Sequence, residues 1–247
     1  MMKAVHDKYG HAVGAVMALQ AGADMPLAQG TLEEQGATVK AIEQALAEGH
    51  LLPADVKKSE ARLVALAQAY PVSPRAYDAA QRAADDAAMR AAWARGLTAF
   101  DGAGRRATPP APGTPLRVVT QDAVDCDGVS EAGLPAERAM EMFRGFADVQ
   151  LVKVPDLRAI DASSFPRDGR FNVLVSNHRT RFGATAGDAR PDLHVALWNP
   201  FQLFDIAAPS LVTWGYCDGA LEAVRAWLEG RAQAGAKSPV KLSPRPA

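Results

Sequence analysis

The sequence predicts an α/β protein whose mostly parallel sheet lies in the second half of the chain, and three observations lead there. The runs Leu193–Asn199 and Leu211–Tyr216 are rich in Val, Leu, Trp and Tyr and too short for helix cores. Each reads as a strand buried on both faces. The connection between them holds Pro200, Phe201, Leu203, Phe204 and Pro209, and a parallel step needs such a crossover. From Leu116 onward, strand-like and helix-like runs alternate, the cadence of a doubly wound sheet.

Composition bounds the function. The chain has 247 residues, a net charge of −1 and 48% hydrophobic residues, enough for one large domain or two. It lacks the basic excess that phosphate neutralisation requires, and no Lys/Arg run is interleaved with aromatics, so no nucleic-acid partner is expected. No apolar segment approaches the roughly 20 residues of a membrane span, and no signal-peptide core follows the N-terminal charges. The expectation is a cytoplasmic protein with no membrane partner. Cys126 and Cys217 lie far apart without metal-ligand spacing and are expected as buried free thiols.

Taken in order, His11–Ala21 carries an apolar stripe of Val13, Val16, Met17 and Leu19 on a short Ala-rich helix that Gly22 stops. Ala23–Ala28 reads as a short strand, with Pro26 tolerable only near an edge or end. Val39, Ile42 and Leu46 give a second helix over Leu32–Gly49, and Pro53 opens a third through Val56, Leu63 and Leu66. Helix, glycine, strand and helix form one βα repeat without its beginning. Tyr77–Arg95 is an Ala-rich helix closed by Gly96, Leu97–Phe100 a short strand, and Asp101-Gly102 a turn. Arg105–Pro115 contains four prolines and reads as a linker or surface loop. Strands follow at Leu116–Thr120, Val149–Val154 and Phe171–Ser176, with helices at Pro135–Ala147 and Ala220–Arg231. His178–Asp192 reads as an irregular loop, and the tail from Lys237 as an extended surface segment.

The order of these pieces resembles family 3 glycoside hydrolases, particularly their β-N-acetylhexosaminidase branch. Met2-Lys3-Ala4-Val5, Tyr9-Gly10 and Ala21-Gly22-Ala23-Asp24 are similar to the end of that family's catalytic barrel. Ser59-Glu60-Ala61-Arg62-Leu63-Val64-Ala65-Leu66 is similar to the helix leaving it, written S-x-x-R-x-L-x-L in the family. Asn199-Pro200-Phe201 and Trp214-Gly215-Tyr216 resemble the N-P-Y and Y-G-Y landmarks of its second domain. The resemblance implies the end of a (β/α)8 TIM barrel over residues 1–70, a helix and Pro-rich linker over 71–115, and a doubly wound α/β sandwich domain over 116–247. It implies a retaining hydrolase of terminal β-linked N-acetylglucosamine or related β-glycosides, a peptidoglycan fragment among them, without metal or organic cofactor.

The same resemblance places the nucleophilic Asp before Met1 and the His proton donor on an earlier barrel loop. His6, His11 and His50 do not sit in the donor motif, so no residue of this chain is assigned a catalytic role. One barrel strand alone leaves both its edges unpaired, so the chain is expected to need the rest of a barrel. Met1-Met2 suits a start codon inside a longer reading frame, and a truncated product that leans on another chain is the other reading. A third stands beside these: a non-catalytic accessory α/β module that binds a partner or carbohydrate.

The candidate substrate-binding residues are Met2, Asp24 and Met25. Asp24 ends a barrel-like strand, where ligand-facing residues sit, although turns also favour Asp, and methionines at strand ends also serve plain packing. His178, Arg179 and Arg181 follow the third strand of the second domain, a position that suits either anion contacts or a salt-bridged loop. Asp122, Asp125 and Asp127 fail the EF-hand spacing and read as turn residues. Neither G-x-G-x-x-G nor a P-loop occurs, so no nucleotide is expected. Trp198 and Trp214 are expected in the core.

Overall fold

The computed structural model describes residues 3–72, 76, 78–126 and 131–246. The chain divides into two units, Met1–Tyr77 and Asp78–Ala247.

The first unit is helical: α1 (Lys3–Tyr9), α2 (His11–Gln20), α3 (Leu32–Ala47) and α4 (Pro53–Ala69). Gly10, at φ +78°, lets the chain turn between α1 and α2. Thr31 and Glu34 form a reciprocal capping box that starts α3. Pro53 starts α4 at a position whose amide would have no intrahelical partner. Among the described residues of this unit only Thr38, Ala45 and Leu51 are buried.

Ala23–Ala28 is not a strand, contrary to the expectation. A strand exists only through a neighbour's ladder, and nothing among the described residues pairs with this segment, so it runs as irregular chain. The one sheet among the described residues lies in the second unit and is open, so no barrel is present among them.

The second unit begins with α5 (Ala79–Gly96), capped by Asp78, whose carboxylate accepts from Ala80 N and Gln81 N. Its strands are β1 (Thr98–Phe100), β2 (Leu116–Gln121), β3 (Val149–Val154), β4 (Phe171–Ser176), β5 (Leu193–Ala196) and β6 (Ser210–Val212), in the spatial order β1-β6-β5-β4-β2-β3. All pairs are parallel except β1 with β6, where Thr98 opposes Val212. The chain winds outward from β2 in both directions, as a doubly wound sheet does.

Side-chain alternation divides the core. Val118, Val173, Val175, Val195 and Leu211 point to one face. There they meet α6 (Ala136–Ala139), the single 3₁₀ turn Met140–Phe143, and α7 (Asp218–Leu228). From α7, Leu221, Val224, Trp227 and Leu228 are buried, at about 1.5–3 kcal/mol for each large side chain. Val119 and Leu174 point to the other face, onto Leu157, Ile160, Phe165, Phe182 and Ile206. Short 3₁₀ turns at Leu157–Ala159 and Ala184–Asp188 stand on that side in place of long helices. The loop His178–Asp192 is therefore irregular except for one such turn.

Several bounds differ from expectation. The helix expected over Pro135–Ala147 is only α6 and the turn after it, because the chain tightens to 3₁₀ at Met140 and leaves the helix after Phe143. α1 was not foreseen; at 7 residues it spans too few turns to show periodicity. Cys126 and Cys217 are thiols outside any disulfide, and both are exposed rather than buried as expected. Cys217 is the residue before α7, and Cys126 lies in the Asp-rich loop. Trp198 and Trp214 are only partly buried. Trp214 leaves the β6 ladder at φ +63°, and its indole N–H donates to Thr98 Oγ1 at 3.1 Å.

Candidate functional site

Two places carry the residues singled out by sequence. The first surrounds Asp24. At the end of α2 the amide of Ala23 donates to Ala18 O and that of Gly22 to Leu19 O, with Gly22 at φ +96°. This glycine-closed helix end turns the chain so that Asp24 meets α4. There Asp24 Oδ1 accepts from Ser59 Oγ at 2.8 Å and Oδ2 from Arg62 Nε at 2.8 Å, while Arg62 Nη2 closes a second bond to Oδ1. Ser59 and Arg62 stand three apart on one helix face, so both reach the same carboxylate. The Arg62 hydrogen bonds, then that of Ser59, lower the Asp24 pKa to about 2. Asp24 is thus a permanent anion at neutral pH, engaged by three donors, and unsuited to giving a proton.

Beside this clamp lies a cavity of about 680 Å³ with a largely apolar lining that includes Leu19, Ile42, Leu51, Val56 and Leu63. Gln20 Nε2 donates to His50 O at 3.0 Å across its wall. Met25 is 71% exposed. Met2 lies outside the described residues. The structure therefore joins Asp24 to Ser59 and Arg62. Sequence reasoning quoted that pair as part of a motif and gave it no role; the three-residue spacing of a hydroxyl and a guanidinium was the signal available.

The second place is the carboxyl edge of the sheet, where doubly wound folds bind ligands beside the strand at which the winding reverses. Here that crevice is filled. Asn177, just past β4, donates through Nδ2 to Gln121 O at 2.8 Å and to Leu134 O at 2.7 Å. Gln121 accepts the amide of Leu157 at 3.1 Å. Gly133 lies so close to Asn177 O that a Cβ there would stand 2.3 Å from it. Of the His178–Arg181 cluster, Arg181 pairs with Asp205 through Nε at 2.6 Å and through Nη2, and lies 5.6 Å over the Phe204 ring. The Asp205 carboxylate also accepts the Phe182 amide at 3.1 Å, so Arg181 fastens a loop.

His178 and His194 are buried. His194 Nε2 lies 2.7 Å from Ser176 Oγ, and Phe182 packs edge-on to both imidazoles. Burial pushes the His178 pKa down to about 4 and that of His194 to about 3. Nothing in the sequence marked these residues as an internal cluster. Among the described residues no group of three His, Cys, Asp or Glu could hold a metal ion, and no helix is long and apolar enough to cross a membrane.

No protein-family profile matches the chain, and no curated protein does. Solved structures do. The fungal structure described as "A unique GCN5-related glucosamine N-acetyltransferase region exist in the fungal multi-domain GH3 beta-N-acetylglucosaminidase" aligns with a TM-score of 0.73 and 18% identity, over 99% of this chain and 30% of its own. A glycoside hydrolase family 3 β-N-acetylglucosaminidase from Paenibacillus sp. str. FPU-7 aligns at 0.72 and 19% identity, over 98% and 50%. The β-glucoside phosphorylase BglX follows at 0.62 and 18%, over 94% and 45%. The chain spans half or less of each, and the likeness is one of fold. This chain has the fold that glycoside hydrolase family 3 proteins carry over part of their length, its open, mostly parallel sheet included.

Proposed function

We propose that this chain is the C-terminal portion of a family 3-type β-glycosidase, contributing an accessory α/β domain and the last helices of a catalytic barrel. Its substrate in this reading is terminal β-linked N-acetylglucosamine or a related β-glycoside, such as a peptidoglycan fragment, in the cytoplasm. One observation carries the proposal beyond the shared fold. The first unit leaves Met25, Leu27, Leu32, Val39, Leu66 and Tyr70 more than half exposed. So many exposed apolar side chains in a unit with three buried residues among those described support a surface that is covered in the intact protein. The rest of a barrel is the cover that the fold likeness supports.

Catalysis in this reading is double displacement. An Asp upstream of Met1 attacks the anomeric carbon while a His donates a proton to the leaving oxygen; water then releases the sugar with retained configuration. Met2, Asp24 and Met25 are the substrate-binding residues of this chain in this reading, and the clamp of Asp24 to Arg62 sets the segment that carries Met25. No metal or organic cofactor enters.

The test is hydrolysis of a chromogenic N-acetyl-β-glucosaminide by the 247-residue chain and by the product of the same reading frame extended upstream. The expected result is turnover, with retention at the anomeric carbon, by the longer product alone. Turnover by the shorter chain, or none by either together with saturable sugar binding, would overturn the proposal; the second outcome would identify a binding module.

A further inference from the structure

Four buried polar atoms on β5 and in the segments that follow β4 and β5 have no hydrogen-bond partner in the protein: Asn177 Oδ1, His178 Nδ1, His194 Nδ1 and Gln202 Oε1. Their neighbours fix the protonation state of one of them. The terminal amide of Gln202 places one atom 2.7 Å from Thr180 O and 3.1 Å from His178 O. Two carbonyl oxygens need a donor there, so this atom is the NH₂ group. The same nitrogen lies 3.3 Å from His178 Nε2. An amide nitrogen cannot accept, and its two hydrogens serve the Thr180 and His178 carbonyls, so the ring nitrogen facing it is assigned as bare and the imidazole proton to Nδ1.

We propose that His178 and Gln202 form an acid-released latch, which holds the segment after β4 (residues 177–182) against the turn after β5 (residues 200–204) while His178 is neutral. Uptake of one proton at Nε2 gives an imidazolium with N–H groups on both nitrogens. The new N–H points at the Gln202 amide hydrogens, and Nδ1–H has no acceptor to share the charge. Burying an unpaired charge is costly, so the charged ring leaves its site and the His178–Gln202 contact between the two segments is lost.

The surroundings are consistent with a neutral ring. Burial is the main influence on His178; Asp156 opposes it and Arg158, in the turn after β3, reinforces it. His194 on β5 is lowered by its own burial and by His178, with Asp205 opposing. The Phe182 ring stands 5.1 Å from that of His178 and shuts off its edge. The hydrogen bonds of the Gln202 amide to the Thr180 and His178 carbonyls, that of the Asn199 amide to Arg179 O and the Arg181–Asp205 pair tie this region without using the imidazole. Release therefore loosens this edge of the sheet and leaves the segments tethered.

Hydrogen exchange on the full chain between pH 6.5 and 4.5, corrected for intrinsic rates, tests the latch. Opening restores an ordinary imidazole, so the opening constant should rise by up to about tenfold per pH unit, or about 40-fold across this window. Amides of residues 178–182 and 201–204 should be less protected than those of β2 and β3 at every pH and should lose protection by that factor. His178→Gln, which cannot take the proton, should flatten the dependence. Should that variant not fold, an NMR titration of the wild-type His178 ring gives the deciding midpoint, expected well below 6.5. Protection that is flat with pH, or equal to that of β2 and β3 throughout, would overturn the latch, as would a midpoint near 6.5.

Discussion

Arg62 holds Asp24 through two of its guanidinium nitrogens, 38 residues apart in the chain, while Ser59 adds a third hydrogen bond from one helical turn away. A bidentate guanidinium–carboxylate pair fixes direction as well as distance. The pair thus sets where the chain goes after α2, in a segment that no β-ladder holds.

Arg62→Lys should loosen that segment, because an ammonium is a point charge and cannot replace the planar fork. Backbone amides of residues 23–28 should exchange faster in Arg62→Lys than in wild type, and Ser59→Ala should show a smaller effect of the same sign. The clamp's contribution has a defined pH window. Its carboxyl, at about 2 in the folded chain against 3.8 ordinarily, stabilises fully above 3.8 and loses that contribution as pH falls toward 2.

The imidazoles act in a different window and with the opposite charge logic. His178 at about 4 and His194 at about 3 stay neutral when folded, whereas the unfolded chain takes up their protons near 6.5. Stability of the second unit is therefore complete above 6.5 and falls as pH drops toward 4. The expected slope is about 1.4 kcal/mol per pH unit for each ring. Urea midpoints at pH 7, 5.5 and 4.5 should decline in step; a constant midpoint would remove the buried neutral pair from the account.

Trp93 of α5 lies over Gly219 at the start of α7 and over Gly215 in the turn before it. A Cβ on Gly219 would stand 2.9 Å from its Cδ1, and one on Gly215 2.7 Å from its Cη2. An indole has no flexible end to give way, so Gly219→Ala should push the helices apart at about 1–3 kcal/mol. Pairing it with Trp93→Ala should cost less than the two single changes added together. Denaturant unfolding with an unchanged slope is the readout.

Arg117 at the amino end of β2 is 7% exposed and bonds Gln150 Oε1 at 3.0 Å, Asn172 Oδ1 at 3.2 Å and the Asp168 carboxylate. Arg117→Ala strips four polar groups, Pro166 O included, of a shared donor. The expected loss is about 1–3 kcal/mol, since Asp168 is half exposed and mainly the part-buried hydrogen bonds are lost, seen as a lower urea midpoint. Arg117→Lys should recover only part of it.

These residues show what a sequence reveals. Val149–Val154 and Phe171–Ser176 form strands with the bounds their apolar runs suggest, because β-branched residues pack well on a pleated surface. The runs at Leu193 and Leu211 end earlier than their apolar character, since Trp198 and Trp214 continue the pattern after the ladder stops. Ala23–Ala28 fails for the reason that pairing is non-local. The Asp24 clamp was half legible, through Ser59 and Arg62 at helical spacing, whereas the latch was not: His178, His194 and Gln202 meet only once the parallel strands bring their ends together.

Whether the first unit's exposed apolar surface is covered by the rest of a barrel, as we propose, is settled by the intact mass of the protein isolated from its own cell: a mass well above the 26.1 kDa of this chain is expected. A product of 26.1 kDa, monomeric and stably folded, would contradict the proposal.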